Sequence, residues 1–456
     1  MGKISSIAVR LVSILLLVFY VHTVTAQEYR KFTAADGSFS GMAALVNLEK
    51  DRTGAEVAVL KRQADGRVVK VILSRLSPED IAWVESERAV LSVPEVMRSR
   101  MTLENRVRLR KESGSDPSAE VAVEAALSWL SGRQNQDGSW GASNKAAMTG
   151  LALLAMAGNG HGPLSPVYAD PVKRGTAFLT DLAARNAAPF TGVFSDRPAL
   201  ITSTYEHAIG TQALSEIYAL TPRSAENVAG LKSAVENALG IIVKKQNPQG
   251  AWAYKDGIGY DPLGATDLSV SCWQIHALWA CRTAGLQREG MPAAIAKAAK
   301  YLESTRSTDG GFGKPDRNSH YNQWNLSGGA LSGYFEVKPN DLTTADPVAQ
   351  SVVRWMTAQL KKEPLDWTKG CYLYTWYFNS MALHKAGGEA WELWRKQCEP
   401  ILKANQLPNG SWKPETVGEI AAAGTSAAAA DNDIYRTCLA TLILETPVRY
   451  SKAKGR

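Results

Sequence analysis

Gln134-Asn135-Gln136-Asp137-Gly138-Ser139-Trp140 decides the fold, because the chain writes it more than once. Gln246-Asn247-Pro248-Gln249-Gly250-Ala251-Trp252 and Asn405-Gln406-Leu407-Pro408-Asn409-Gly410-Ser411-Trp412 keep Gln, Gly and Trp in step. Ser307-Thr308-Asp309-Gly310-Gly311-Phe312 keeps the plan with Phe for Trp. Two weaker copies fall where the spacing expects them, near Ala184–Phe194 and Gln359–Trp367. Self-similarity at a fixed interval marks a repeat architecture.

The physics of each copy is local. A helix ends, and its last carbonyls need partners. Asn, Asp and Gly supply the turn, with Gly accepting the left-handed conformation. The aromatic two residues after Gly then folds back onto helix surface.

Helices flank these turns in pairs. First members are expected near 118–134, 170–186, 226–246, 291–306, 345–360 and 389–406. Second members are expected near 146–157, 204–220, 268–285, 321–335, 372–387 and 433–445. The second set is poorer in charge and denser in Ala, Gly and aromatics, so it belongs inside. Six outer and six inner helices close a ring, an (α/α)6 toroid in a mainly α protein. Closure removes the need for capping repeats.

The Gln…Gly-x-Trp turns resemble the prenyltransferase and squalene-oxidase repeats of the terpenoid cyclase and protein prenyltransferase superfamily, over about 118–446. Thr204–Thr211, Asp267–Gln274 and Tyr372–Met381 look like an exported bacterial branch whose members often carry no assigned activity. The superfamily's chemistry is missing from the strings that should carry it. Type II cyclases protonate an alkene with Asp-x-Asp-Asp, and ionising synthases use Asp-Asp-x-x-Asp. No Asp-Asp pair occurs here, and the nearest string is Asp431-Asn432-Asp433. The prenyltransferase zinc set keeps Asp267 but has Ser269 where the Cys belongs. Arg436 stands in Tyr435-Arg436-Thr437-Cys438 where the His belongs. A thioester needs Cys-Gly-Glu-Gln, and Gly370-Cys371-Tyr372-Leu373 does not fit.

Ahead of the repeats, residues 28–84 read as a small β-rich domain. Ser38–Leu48, Glu56–Lys61 and Arg67–Leu73 are strand-like, Ala64-Asp65-Gly66 is a hairpin turn, and Ser77-Pro78-Glu79-Asp80 caps a helix. Arg30–Thr33, Asp36–Phe39, Val59–Arg62, Asp65–Arg67 and Leu76–Asp80 resemble the Sla-type homology domain, an SH3-like barrel. That resemblance implies peptide or protein binding.

Residues 1–26 read as a secretory signal. Lys3 and Arg10 precede the apolar run Leu11–Val21, and Val24-Thr25-Ala26 offers a small-residue cleavage site. Export to the periplasm or outside the cell is the expectation, with no membrane span left after cleavage. The five Cys in a chain of 456 residues read as buried small apolar residues.

Residues 85–117 read as a charged linker with a helical stretch. Its cluster of Arg98, Arg100, Arg106, Arg108, Arg110 and Lys111 reads as a solvated face. The net charge of +7 in 456 residues is too mild for a nucleic-acid stripe.

In a toroid whose inner helices all point one way, their N-termini ring one mouth. That ring would hold Tyr205, Glu206, His207, Asp267, Asn322, Trp324, Tyr372, Tyr374, Trp376, Asp433 and Tyr435. Tyr205, Trp273, Trp324, Tyr372, Trp376, Asp433 and Tyr435 are the ligand-binding candidates. His207, Glu206 and Asp267 are the catalytic ones, and Asp267 with Cys272 and His276 would be the only metal set. Two functions follow. One is an exported binding or scaffold protein without a cofactor, its cavity taking a hydrophobic or sugar-like ligand. The other is a toroid enzyme, isoprenoid-processing or carbohydrate-active, working through His207, Glu206 and Asp267.

Overall fold

The computed structural model describes residues 29–200, 202–222, 228–253, 266–313, 323–338, 346–368, 372–413 and 432–450. The signal reading, Asn322, Cys371 and Asp431 lie outside these residues. The chain divides after Ser86 into two compact units. Among the described residues, it is mainly helical with one small antiparallel sheet.

The first unit is a meander of β1 (Arg30–Thr33), β2 (Ser40–Lys50), β3 (Glu56–Arg62) and β4 (Val68–Ile72), each strand pairing with the next. A single 3-10 turn, Leu73–Arg75, bends the chain back so that Leu76 bridges Ala34. Alternation puts Phe32, Ala43, Ala58, Leu60, Leu73, Leu76 and Val84 into one core. Ser77 caps α1 (Pro78–Leu91) through the Asp80 amide, as its sequence suggests. Asp80 itself is buried. It accepts from the Thr33 amide at 2.8 Å and pairs with Arg30 at 2.8 Å.

The second unit begins at Glu87, within α1, and continues with α2 (Glu95–Arg98) and α3 (Leu103–Ser113). Then come α4 (Ala119–Ser131), α5 (Lys145–Gly158), α6 (Ala169–Arg185), α7 (Ser203–Leu220), α8 (Leu231–Lys245), α9 (Leu268–Thr283), α10 (Met291–Ser304), α11 (Gln323–Val337), α12 (Pro347–Lys362), α13 (Leu373–Ala386), α14 (Gly388–Ala404), α15 (Asn432–Leu444) and α16 (Thr446–Arg449). The twelve from α4 to α15 fall within a few residues of the expected spans. The odd-numbered helices from α5 to α15 pack each on the next, and α15 returns to α5. They are buried almost all round; in α5 every residue from Ala146 to Gly158 is buried. The even-numbered helices keep one buried face each, and the last of them, α14, packs on the first, α4.

The repeated turns explain this order. Gln246 Nε2 donates to the carbonyl of Gly250 in its own turn and to Ala294 on α10, the next even-numbered helix. Gln134 does the same to Gly138 and to Pro171 on α6. Gln406 does it to Gly410 and to Ala122 on α4, so the last turn grips the first helix. Gly must stand in these turns. Gly410 has φ +92°, and a Cβ there would lie 2.2 Å from the Ala125 carbonyl oxygen.

The indole two residues on folds back as expected. Trp140, Trp252 and Trp412 are fully buried and donate Nε1–H to Leu130, Ile242 and Leu402, near the end of the preceding helix. Their own amides donate to Thr149, Ser271 and Thr437 on the following inner helix. The Phe312 amide donates to Ser327 in the same way.

The arginine cluster corrects an expectation. Arg100, Arg106 and Arg110 do not form a solvated face; they are buried. Arg100 pairs with Glu216 at 2.6 Å, while Arg106 and Arg110 share Glu120 at 2.9 and 2.7 Å. A buried guanidinium persists only with such partners. Cys272, Cys281 and Cys438 are buried thiols, and burial pushes Cys281 up to about 12.

Candidate functional site

The first turns of four inner helices meet. Tyr205 of α7 and Tyr374 of α13 both reach Ser269 of α9, with the phenol oxygens 2.6 and 3.1 Å from its Oγ. Thr375 of α13 donates to Asn325 of α11 at 2.9 Å, and Gln274 of α9 donates to the Thr204 carbonyl of α7 at 3.0 Å. Tyr205, Ser269, Asn325 and Tyr374 are half-buried, whereas the residues a turn deeper are buried. Asp433 and Tyr435 are half-buried on the first turn of α15, and Tyr372 is half-buried at the N-cap of α13. Asp433 accepts from the Ile434 amide at 2.9 Å.

Beneath Ser269, aromatic rings of α9 and α13 pack together. Trp273 stacks on Tyr377 at 6.0 Å and meets Phe378 edge-on at 5.0 Å. His276 stacks on Phe378 and faces Glu336 at 2.6 Å, and Glu336 also holds Lys385 at 2.5 Å. Burial pushes Glu336 up, but His276 and Lys385 outweigh it and hold the carboxyl below its ordinary range. Deeper still, Glu216 lies between Arg100 and Arg449, all fully buried. Among the described residues, a hydroxyl bridge thus lies over packed rings and ion pairs.

Several candidates take structural posts. His207 Nδ1 accepts from the Phe194 amide at 3.2 Å, and its Nε2 lies 3.3 Å from the Ala238 carbonyl. Both ring nitrogens are spent, which fixes the tautomer with the proton on Nε2. Burial pushes the imidazole down to about 4, so it is neutral near pH 7. Asp267 caps α9 through the Val270 amide at 2.9 Å. Trp324 packs on Trp355 and Trp394 of the outer layer, and buried Trp376 also packs on Trp394. The structure does not bring Asp267, Cys272 and His276 into one metal set, and no group of three such ligands occurs among the described residues.

Glu206 differs. It is buried, and one carboxyl oxygen takes the Ser195 hydroxyl as donor while Oε1 has no hydrogen-bond partner among the described residues. Burial, helped by Asp196, pushes it up to about 7 despite Ser195 and Arg197.

No family model matches the chain, and no curated protein does. Among solved structures it is similar to a type II terpene cyclase, MstE from Scytonema. With geranylgeranyl dihydroxybenzoate bound, that enzyme is 16% identical over 73% of this chain and 97% of its own, with a TM-score of 0.46. With merosterolic acid A bound, the figures are 14%, 76%, 99% and 0.45.

Ser269 was visible in the sequence only as a missing cysteine. Its place one helical turn before Trp273, on a first turn beside two tyrosines, is the signal that names it. Ser195 and the Arg100–Glu216–Arg449 network had no such signal. Ser195 and Glu206 are 11 residues apart, and the network's arginines lie 116 and 233 residues from Glu216.

Proposed function

We propose that the helical unit is an (α/α)6 toroid of the terpenoid cyclase and prenyltransferase kind and that the protein is an exported binding protein. Its mouth takes a hydroxylated ring ligand, a saccharide. The carrying observation is the Ser269 hydroxyl joined to Tyr205 and Tyr374 over Trp273. Phenols and a serine present donors and acceptors, and rings beside them offer an apolar face. In the same reading the first unit is an SH3-like module for a peptide.

The test is a titration of the full chain, followed by tryptophan fluorescence, with cello- and chito-oligosaccharides in one arm and geranylgeraniol in the other. Saturable binding of an oligosaccharide, weakened about tenfold in Ser269→Ala and Tyr374→Phe, is the expected result. Binding of geranylgeraniol alone defeats the saccharide assignment.

A second reading, a toroid enzyme, is favoured by one observation. With His207 and Asp267 committed, Glu206 remains as a carboxylic acid able to hold a proton at neutral pH. Loss of turnover in Glu206→Gln with the ligand still bound supports that reading.

A further inference from the structure

We propose that Ser165, His161 and Glu124 form a second, surface-facing hydrolytic centre that accepts an ester with an apolar acyl group. It lies apart from the mouth, in the connection between α5 and α6, and does not depend on the saccharide reading. Ser165 Oγ is 2.9 Å from His161 Nδ1. On the other side of the ring, Nε2 is 3.8 Å from Glu124 Oε1. No hydrogen bond closes that second gap, so a nucleophile and a base are joined and an acid faces the base at ion-pair distance.

The surroundings hold that order. Glu124 accepts from Asn159 Nδ2 at 2.9 Å and from the Tyr168 hydroxyl at 3.3 Å, with Arg106 at 3.8 Å. The Tyr168 ring meets the imidazole edge-on at 4.7 Å and sets its plane. Gly160 has φ +81°, and a Cβ there would come within 2.4 Å of the Arg100 carbonyl oxygen, so the loop lies directly on its support. Ser165 Oγ also accepts the amides of Val167 at 3.3 Å and Tyr168 at 3.1 Å. Those amides lie in the turn just ahead of α6, and they would also stabilise an alkoxide on the same oxygen. The hydroxyl proton is left for His161.

The group is reachable. His161 has a side-chain exposure of 13% and Glu124 of 43%, and Ser165 is half-buried. Leu164 and Val167 flank Ser165 and are 53% and 67% exposed, an apolar platform where an acyl chain can lie. In the reaction, Ser165 Oγ bonds to the ester carbonyl carbon while its proton passes to His161 Nδ1. The carbon–oxygen bond to the alcohol breaks, and the alcohol leaves with that proton. Water then attacks the acyl-serine, gives a proton to His161, and the acid departs as His161 returns the proton to Ser165.

The experiment treats the full chain with a fluorophosphonate probe and with p-nitrophenyl butyrate. One adduct per chain, mapped to Ser165, and ester hydrolysis lost in Ser165→Ala are expected. His161→Gln leaves the Ser165 bonds to the Val167 and Tyr168 amides in place, so a fall in labelling rate of about a hundredfold there reports the base and not the fold. Glu124→Gln is expected to lower kcat more than KM and to move the pH profile. A wild type that takes no adduct at Ser165 overturns the proposal. So does hydrolysis that persists in Ser165→Ala, or labelling that is unchanged in His161→Gln.

Discussion

The His207 imidazole accepts the Phe194 amide, the bond that a serine or threonine hydroxyl accepts in four other repeats. Thr149, His207 and Ser327 are each the fifth residue of their inner helix; Ser271 is the fourth and Thr437 the sixth. This histidine belongs to the repeat. His207→Ala leaves a buried N–H without an acceptor and opens a cavity. It should cost about 2–4 kcal/mol of stability in urea unfolding, and His207→Gln, which can accept the same bond, should cost less.

His207 and Glu206 are neighbours with opposite linkage. The folded His207 is held down at about 4 against an ordinary 6.5. Its contribution is present above pH 6.5 and is lost as pH falls towards 4. Glu206 is pushed up to about 7 from 4.5, so its contribution is present below 4.5 and is lost as pH rises through 7. Each is worth up to about 3 kcal/mol, and between pH 4.5 and 6.5 they oppose. Glu206→Gln should therefore be more stable than the wild type at pH 8 and similar to it at pH 4. Melting curves across that range check the sign. A variant that is less stable at pH 8 means Glu206 is ionised and paired.

Gly410 tests the closure. Alanine there takes a left-handed φ and puts its methyl onto the Ala125 carbonyl of α4. A loss of about 3 kcal/mol or more is expected in chemical denaturation. Gly387 shares a positive φ but has nothing within 4 Å of a Cβ, so alanine there should cost less.

The alternation of outer and inner helices was legible because the repeated turn carries its own cause: glycine for a positive φ, glutamine for two carbonyls, tryptophan for the preceding helix end. The site was less legible. Loop lengths differ, so the distance from aromatic to acceptor runs from 9 residues for Trp140 to 25 for Trp412, which hid the role of His207. Asp267 stood among the catalytic and metal candidates, and the Val270 amide it accepts shows it capping α9. The arginines between 98 and 111 looked solvated because charge is mostly outside, and no local pattern reveals a partner such as Glu216.

That partner supplies the last prediction. Glu216 is buried, and burial alone would protonate it, but Arg449 and Arg100 outweigh burial and keep its pKa below the ordinary range. Arg100 also donates to the Arg449 carbonyl at 2.9 Å, so α3's approach, α7 and the C-terminal α16 meet at one charge. Arg449→Met removes one cation and leaves Glu216 half-compensated in a dry site. It should cost about 3–5 kcal/mol. Pairing it with Glu216→Gln removes the stranded charge as well, and part of that loss should return. A double-mutant cycle in urea measures the coupling. Strictly additive losses would mean that Arg449 acts through its packing on Tyr450, 5.4 Å from the ring centre, and not through the carboxylate.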